Sequence, residues 1–335
     1  IASVSKPVTS AAVFRLLEEG KISLDDKIFD VLPDYLPPGE DDEIDPRLAE
    51  VTVLQCLQHS GGWDRDKSFD PMFRSIDFAR SLDLPPPADQ DAVIRNMMAQ
   101  PLDFDPGSRQ AYSNYGFCLL GRAIAEISGS DYETYVKEHV LDPAGARTMR
   151  LGRSLPGGRL RDEVRYYSPY RGRSVFAASL GQRVPFPYGG WHLEAMDSHG
   201  GWIASAVDLA RFAAAFDDPD QCPVLNAESI GEMDARPEGL AGHEEDGTEK
   251  PRFYSLGWSN RVIGEGKVNR WHSGSLPGTA TIMIRRHDGR NFVALLNSRV
   301  SPNDESVGGL IDRMLHAAAN EVTDWPEIDL FEEDP

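Results

Sequence analysis

The sequence predicts an α+β fold in which helices flank an antiparallel sheet, and the order of its local patterns supports this. Helical patterns dominate the first part of the chain, whereas residues 254–297 have the character of consecutive β segments. Strands that follow one another directly pair as an antiparallel meander, because parallel pairing needs a long crossover between them. A helical pattern over residues 305–322 closes the chain.

The helices are predicted from apolar periodicity combined with start and stop signals. Residues 3–19 have an apolar face and end at Gly20, and residues 114–128 have one that ends at Gly129. Capping patterns at Thr52 and Ser205 open two more helices, the first of which is predicted to end at Gly61–Gly62. Residues 64–87 are rich in Asp and Pro and predict a loop with short helical pieces.

Four strands are predicted from β-branched and aromatic runs. The turn signal at 287–290, which contains Asp-Gly, predicts a hairpin between the last two strands. The predicted strands are residues 254–263, 268–272, 279–285 and 291–297.

Charge and composition exclude several classes of function. The formal net charge of −20 argues against a nucleic-acid partner, since phosphate binding needs clustered Lys and Arg. No apolar run reaches the length of a membrane span, and no cationic apolar leader is visible at the start of the sequence, so the sequence predicts neither a membrane span nor a signal peptide. The Arg-rich stretch Arg159–Arg173 could attract an anionic substrate, and the alternative is a solvated loop.

No metal or cofactor is predicted. The three cysteines lack metal-ligand spacing, and two of them lie in apolar helical contexts typical of core residues. His192 and His199 flank Glu194 and Asp197, but no second cluster of ligands supports a metal site. His59, at the end of the second predicted helix, is expected to be structural.

The first candidate catalytic pair is Ser3 and Lys6. Residues three apart lie on one face of a helix, so the lysine amine can reach the serine hydroxyl. A serine needs an adjacent base to act as a nucleophile, and a lysine can be that base where desolvation or nearby positive charge lowers its pKa. The N–H of Ser3 at a helix start can help to hold an oxyanion.

Two further motifs carry polar groups. Tyr112 precedes a helix and can relay a proton, while the Asn114 amide can orient a substrate carbonyl or Lys6. The alternative is a packed tyrosine followed by an asparagine N-cap. His272-Ser273-Gly274 is predicted to end a strand, with Gly274 allowing a substrate to approach the backbone and Ser275 supplying a second oxyanion N–H. The alternative is a turn after a strand, as Ser275-Leu276-Pro277-Gly278 suggests.

Together and in this order, the three motifs resemble the SxxK, YxN and KTG-type motifs of the penicillin-recognising serine hydrolases. That family includes class C β-lactamases, DD-peptidases, D-aminopeptidases and related esterases. The resemblance extends along most of the chain. It involves residues 1–6 (the nucleophile entry), 51–63 (similar to an LLxHxSG helix end), 200–212 (a helix entry) and 254–299 (the C-terminal strands).

The resemblance implies roles and an architecture. Ser3 would be the nucleophile, Lys6 and Tyr112 the proton-transfer pair, and Tyr112 the activator of the deacylating water. Asn114 would contact substrate, His272 would stand where β-lactamases usually have Lys, and the N–H groups of Ser3 and Ser275 would form the oxyanion hole. Residues 1–50 and 200–335 would form an α/β sandwich, and residues 51–199 a mainly helical and loop region, with the active site between them.

Two departures from the family pattern affect the predicted substrate and fold. His272 is not a permanent cation, so it suits carboxylate recognition less well than Lys would, which favours esterase and D-peptidase-like substrates over β-lactams. Family members carry a helix and strands before the nucleophile, and the sequence shows none before Ser3. The sequence is therefore interpreted as a fragment or a processed chain; if those strands are truly missing, we expect an exposed sheet edge where they would pair and a loss of activity.

The sequence thus predicts a serine hydrolase that acts through an acyl-enzyme on Ser3 and cleaves esters or amides of small-molecule or peptide substrates, as an esterase, a D-peptidase or a β-lactamase-like enzyme, and it does not decide between these. The alternative is a non-catalytic homologue that binds peptides or has a structural role. The resemblance slightly favours a periplasmic or secreted location, and the sequence does not give the oligomeric state.

Overall fold

The computed structural model describes residues 1–35, 44–301, 303 and 305–328. Parts of the predicted α/β sandwich, at 36–43, 302, 304 and 329–335, therefore lie outside the described residues. The α+β prediction is confirmed: helices flank an antiparallel five-stranded sheet. Its strands are β5 (Arg252–Tyr254), β6 (Ser259–Gly264), β7 (Lys267–Leu276), β8 (Thr279–Arg285) and β9 (Asn291–Leu296).

The sheet is the predicted meander, with its strands paired in chain order. The hairpin at 287–290 is confirmed, and Gly289 adopts the positive φ of 75° that such a turn favours. One predicted strand, 254–263, is wrong because it is two strands. Between β5 and β6 the chain turns at Gly257, whose φ is +99°, and Ser255 N–H donates to Trp258 O at 2.8 Å.

The end of β7 also differs from the prediction. His272-Ser273-Gly274 does not terminate the strand, because β7 stays paired with β8 as far as Leu276 opposite Thr279. The turn comes only at Pro277–Gly278. The third motif is therefore held on a paired strand rather than in a loop, and the turn suggested at Ser275-Leu276-Pro277-Gly278 is confined to its last two residues.

The helix signals are confirmed with adjusted bounds. Both capping boxes form, Thr52 with Gln55 and Ser205 with Asp208. The helix after Thr52 is short because the chain leaves helical geometry at His59, whose φ is +61°. The helices are α1 (Ser5–Glu18), α2 (Ile28–Val31), α3 (Val53–Leu57), α4 (Ser75–Ser81), α5 (Gln90–Met98), α6 (Asn114–Ser128), α7 (Tyr132–Val136), α8 (Asp197–Gly200), α9 (Ala206–Ala214), α10 (Ala227–Asp234) and α11 (Gly308–Glu321).

Helix α1 lies at the centre of the molecule. Its residues from Ser5 to Phe14 are buried, and it packs against α6 and α8. Lys6 is the one charged residue among the buried residues of α1. Since charged side chains are seldom fully buried, we infer that Lys6 has a role other than packing. On the sheet side, α9 packs over β8 and β9.

The stretch between the helical part and the sheet carries short strands. They form two small antiparallel pairs, and the division of the chain into two regions remains a prediction. The strands are β1 (Arg150–Leu151), which pairs with β4 (Trp202–Ile203), and β2 (Arg171–Arg173), which pairs with β3 (Arg183–Pro185). Across the described part of the chain, no helix combines the length and hydropathy that crossing a bilayer requires.

Candidate active site

Ser3 lies on a short 3₁₀ turn, Ala2–Val4, that leads directly into α1. The preceding Ala2 has a φ of +49°, a left-handed conformation that is strained for a residue with a Cβ. The turn is fixed from the sheet, because Thr281 on β8 donates its hydroxyl to Ile1 O at 2.7 Å. The position of Ser3 is therefore set by the strained backbone at Ala2 and by the hydrogen bond from β8 to Ile1, in addition to the start of α1.

Gly274 on β7 lies against this turn. A Cβ at Gly274 would come within 2.3 Å of Ile1 O and 3.0 Å of Ala2 Cβ. The sequence led us to expect a substrate at this glycine, but its open side is occupied by the chain itself. Gly274 therefore serves to bring β7, and with it Ser275, next to the Ser3 turn. Ser275 is the next residue on β7 and pairs with Ala280.

Lys6 is fully buried and its amine has three partners. Nζ lies 3.2 Å from Ser3 Oγ, 2.8 Å from Asn114 Oδ1 and 3.0 Å from His199 O. Burial lowers the pKa of Lys6 well below its usual value; the Asp70 carboxylate opposes this shift and the Arg65 guanidinium adds to it. A neutral amine has two N–H groups and one lone pair. Asn114 Oδ1 and His199 O each accept one of these N–H groups, so the lone pair can face the Ser3 hydroxyl.

Tyr112 covers the same amine. Its ring centroid lies 4.8 Å from Lys6 Nζ and 4.5 Å from Arg65 Cζ. Burial raises the pKa of the Tyr112 phenol, and a hydrogen bond with the Ser3 hydroxyl partly offsets that rise. At neutral pH the phenol therefore keeps its proton, which makes Tyr112 a proton donor in the free protein.

Asn114 is the first residue of α6. Its Oδ1 accepts from Lys6, and its Nδ2 donates to Asp70 Oδ2 at 2.6 Å. The alternative interpretation of Asn114 as an N-cap is wrong: the N-cap is Ser113, whose Oγ accepts from Gly116 N. Asp70 was not found from the sequence, although it lies in the Asp-rich loop that follows Trp63.

His272 is buried and both of its ring nitrogens have partners. Nε2 lies 3.0 Å from the Tyr254 hydroxyl, and Nδ1 lies 2.8 Å from Ser273 O. Since a carbonyl can only accept, Nδ1 carries the proton and Nε2 accepts from Tyr254. Burial, with help from the charge of Lys6, lowers the pKa of His272 to about 3. The side chain is therefore neutral across the physiological range.

His59 packs among the aromatic rings of the site, as its expected structural role suggested. Its ring centroid is 4.3 Å from that of Tyr112 and 4.4 Å from that of Tyr254. Its Nδ1 accepts from Ser113 N–H at 3.3 Å, which links it to the start of α6. His192 and His199 do not come together: His192 contacts Ala88 O, whereas His199 faces the buried side of Lys6.

A cavity of about 110 Å³ opens beside Asn114. Aromatic and carboxylate side chains share its lining, so it offers both apolar and polar contacts to a ligand beside Asn114. The lining includes Trp63, Arg65, Phe69, Asp70, Met97 and Asp103.

Comparison with known proteins identifies the family. A family model described as "Beta-lactamase" matches residues 1–318. The chain belongs to the beta-lactamase family. This match confirms the family that the motifs at Ser3, Tyr112 and His272 indicated.

Curated relatives of this beta-lactamase-family chain carry different names. "Probable fimbrial assembly protein FimD, serogroup H1" of Dichelobacter nodosus is 32% identical over 224 residues, which cover 67% of this chain and 49% of that protein. "Penicillin-binding protein 4*" of Bacillus subtilis is 27% identical over 305 residues, covering 89% of this chain and 60% of that protein. The chain thus spans about half the length of the first of these relatives.

Solved structures support the fold. A crystal structure of the D-amino acid amidase from Ochrobactrum anthropi superimposes with a TM-score of 0.67 at 22% identity. The match covers 96% of this chain and 83% of the amidase. The beta-lactamase/transpeptidase-like architecture predicted from the sequence is therefore confirmed.

Proposed function

We propose that this beta-lactamase-family chain is a serine hydrolase that forms an acyl-enzyme on Ser3. The observation that carries the proposal is the environment of Lys6. Its amine lies 3.2 Å from Ser3 Oγ, is buried where the charged form is disfavoured, and is aimed by two carbonyl acceptors. A neutral amine in hydrogen-bonding reach of a serine hydroxyl is what general-base activation of that serine requires.

In the first step, the Ser3 proton moves to Lys6 Nζ as Oγ bonds to the carbonyl carbon of the substrate. The carbonyl electron pair shifts onto its oxygen, and we propose that the N–H groups of Ser3 and Ser275 hold this oxyanion. The close passage of β7 over the nucleophile turn at Gly274 supports this pairing of N–H groups.

In the second step, the oxyanion collapses, the ester or amide bond breaks, and the leaving group takes a proton. We propose that this proton passes from Lys6 through the Tyr112 hydroxyl, since the raised pKa of Tyr112 keeps that phenol protonated. Lys6 is then neutral again and can take a proton from the water that hydrolyses the acyl-enzyme. In this scheme Tyr112 relays the proton to and from water rather than acting as the base alone.

The proposed substrates are esters and D-amino acid amides or peptides without a carboxylate at the His272 position. His272 is neutral, and its nitrogens are engaged by Tyr254 and Ser273, so it offers no cation to a substrate carboxylate. This argues against β-lactams, which bear such a carboxylate. The solved D-amino acid amidase among the similar structures supports the D-amino acid amides of this substrate class.

The experiment is hydrolysis of p-nitrophenyl acetate by the wild-type protein, Ser3→Ala and Ser5→Ala. Ser5 is the matched control, because its hydroxyl is buried and has no hydrogen-bond partner among the described residues. We expect Ser3→Ala to lose on the order of a thousandfold or more in rate, and Ser5→Ala to lose little. An acetyl group found by mass spectrometry on the Ser3 peptide would establish the intermediate. Full activity in Ser3→Ala would refute the mechanism.

A second candidate is a non-catalytic role in binding or assembly. The observation in its favour is the 32% identity to a probable fimbrial assembly protein. A fluorophosphonate probe distinguishes the two, because it labels an activated serine irrespective of the natural substrate. Failure of the folded wild-type protein to react at Ser3 would favour the non-catalytic role.

A further inference from the structure

Positive charge in this acidic protein is concentrated in one segment. Residues 147–183 contain nine arginines and only two carboxylates, Asp162 and Glu163, although the whole chain has a net charge of −20. Eight of these arginines are exposed and Arg159 is half-buried. The segment therefore presents a positive surface on a molecule whose overall field is negative.

Three of the arginines share one face of the β2–β3 hairpin. Arg173 pairs directly with Arg183, and Arg171 lies two residues before Arg173 on the same strand. Residues directly opposite each other, and residues two apart on one strand, point to the same side. Their Cβ atoms are therefore separated by roughly 5 to 7 Å, close enough for all three guanidinium groups to meet one small ligand.

This arrangement is electrostatically unfavourable without an anion. Like charges directly opposite one another destabilise a strand pair. Among the described residues, no carboxylate lies within ion-pair distance of Arg171, Arg173 or Arg183. By contrast, Arg270 forms an ion pair with Asp234, with 2.8 Å between Nε and Oδ2.

The opposite face of the hairpin fixes its orientation. Gly172 lies between the two arginines of β2, and a Cβ there would come within 2.5 Å of the Phe186 ring. Phe186 in turn packs edge-on against Trp191. The hairpin is therefore anchored through the face opposite the three arginines, which remain exposed.

Two of the guanidinium groups are further held by backbone carbonyls. Arg171 Nη2 donates to Arg183 O at 3.0 Å, and Arg173 Nη1 donates to Gly181 O at 3.1 Å. Each guanidinium has five N–H donors, so most donors remain available to a ligand. A phosphate group offers three acceptor oxygens and up to two charges, which matches three guanidinium forks better than a single carboxylate does.

We propose that Arg171, Arg173 and Arg183 form a binding site for a phosphate group on the outer face of the β2–β3 hairpin. This inference does not depend on the proposed hydrolysis, because none of the three residues belongs to the candidate active site. The phosphate could belong to a soluble molecule or to a lipid headgroup, and both offer the same chemistry to the arginines.

Calorimetric titration with inorganic pyrophosphate at low ionic strength tests the site. We expect the double variant Arg173→Gln/Arg183→Gln to bind at least about tenfold more weakly than the wild type, since each lost contact is a charge-assisted hydrogen bond. The matched control is Arg147→Gln/Arg150→Gln, which removes the same charge from exposed arginines of the same segment that do not face each other on a strand pair. The control is expected to change the affinity by less than about twofold.

A second arm distinguishes the sources of phosphate. Wild type and both double variants are pelleted with phosphatidylcholine vesicles that contain or lack phosphatidylglycerol. Pelleting that needs phosphatidylglycerol and is lost only in Arg173→Gln/Arg183→Gln assigns the site to a lipid headgroup, whereas binding of pyrophosphate alone assigns it to a soluble ligand. Binding of neither probe, or equal loss in both double variants, would overturn the proposal.

Discussion

Asn114 Oδ1 lies 2.8 Å from Lys6 Nζ, and the other end of the same amide donates to Asp70 at 2.6 Å. Asp70 is itself held by the Met72 N–H, which donates to its Oδ1. The Asp70 carboxylate can only accept, and a neutral Lys6 needs acceptors for its N–H groups. The Asn114 amide must therefore turn its Nδ2 towards Asp70 and its Oδ1 towards Lys6. The result is a chain of hydrogen bonds that aims the Lys6 amine at Ser3.

Replacing Asn114 with Asp would reverse the electrostatics at Lys6. A carboxylate 2.8 Å from Nζ favours the charged amine and raises the pKa of Lys6. Because the proposed base is the neutral amine, the acid limb of the kcat/KM profile should move to higher pH, and activity at pH 7 should fall by about a hundredfold. The measurement is ester hydrolysis from pH 5 to 10.

The control for this variant is Asn226→Asp. Asn226 caps α10 through a hydrogen bond from Ser229 N, and Asp is an equally good N-cap, so the same chemical change occurs without loss of stability. Its pH profile should match that of the wild type. An Asn114→Asp profile with lowered activity but an unmoved acid limb would contradict the assignment of Lys6 as the base.

Local signals account for the part of the fold that the sequence predicted. The capping boxes at Thr52 and Ser205, the stop at Gly129 and the Asp-Gly hairpin turn each depend on residues a few positions apart. The Ser3–Lys6 pair is local in the same sense, because three residues on a helix place two side chains together.

The partners that complete the site are distant in the chain. Asp70 reaches Asn114 across 44 positions, and His199 supplies its carbonyl to Lys6 across 193. No periodicity within a segment reports such contacts. The neutral state of His272 likewise depends on its burial and on its contact with Tyr254, and both exist only in the folded chain. The turn between β5 and β6 was missed because Leu256 and Trp258, which flank Gly257, are both apolar and continued the strand pattern.

Buried histidines should make the protein sensitive to acid. His59, His199 and His272 are buried, and burial is the main cause that lowers the pKa of each. In the unfolded chain they titrate near 6.5. Below that pH, and in the case of His272 down to about 3, the unfolded state binds more protons than the native state, so stability falls as the pH falls, by up to about 1.4 kcal/mol per pH unit for each histidine.

Urea denaturation of the wild type and of His272→Gln between pH 7 and pH 4.5 measures this effect. The variant removes one titrating group, so its free energy of unfolding should fall less steeply with decreasing pH, even if its stability at pH 7 is lower. Identical slopes in the two proteins would show that His272 titrates alike in both states.

Gly121 allows α6 to pack closely against α8, the helix whose His199 carbonyl accepts from Lys6. A Cβ at Gly121 would lie 2.5 Å from both Cβ and Oγ of Ser198, the residue before His199. We expect Gly121→Ala to destabilise the protein by about 1 to 3 kcal/mol through overpacking. Because the displaced backbone includes the His199 carbonyl, the folded fraction should also lose activity.

Gly231→Ala is the matched control for this prediction. Gly231 lies within α10, where an added Cβ meets nothing within 4 Å. The gain in helix propensity should therefore stabilise this variant by up to about 1 kcal/mol and leave the activity unchanged. Melting temperature and single-turnover acylation, measured on the same samples, separate the two effects. If Gly121→Ala acylates at the wild-type rate once corrected for its folded fraction, the His199 carbonyl does not help to orient Lys6.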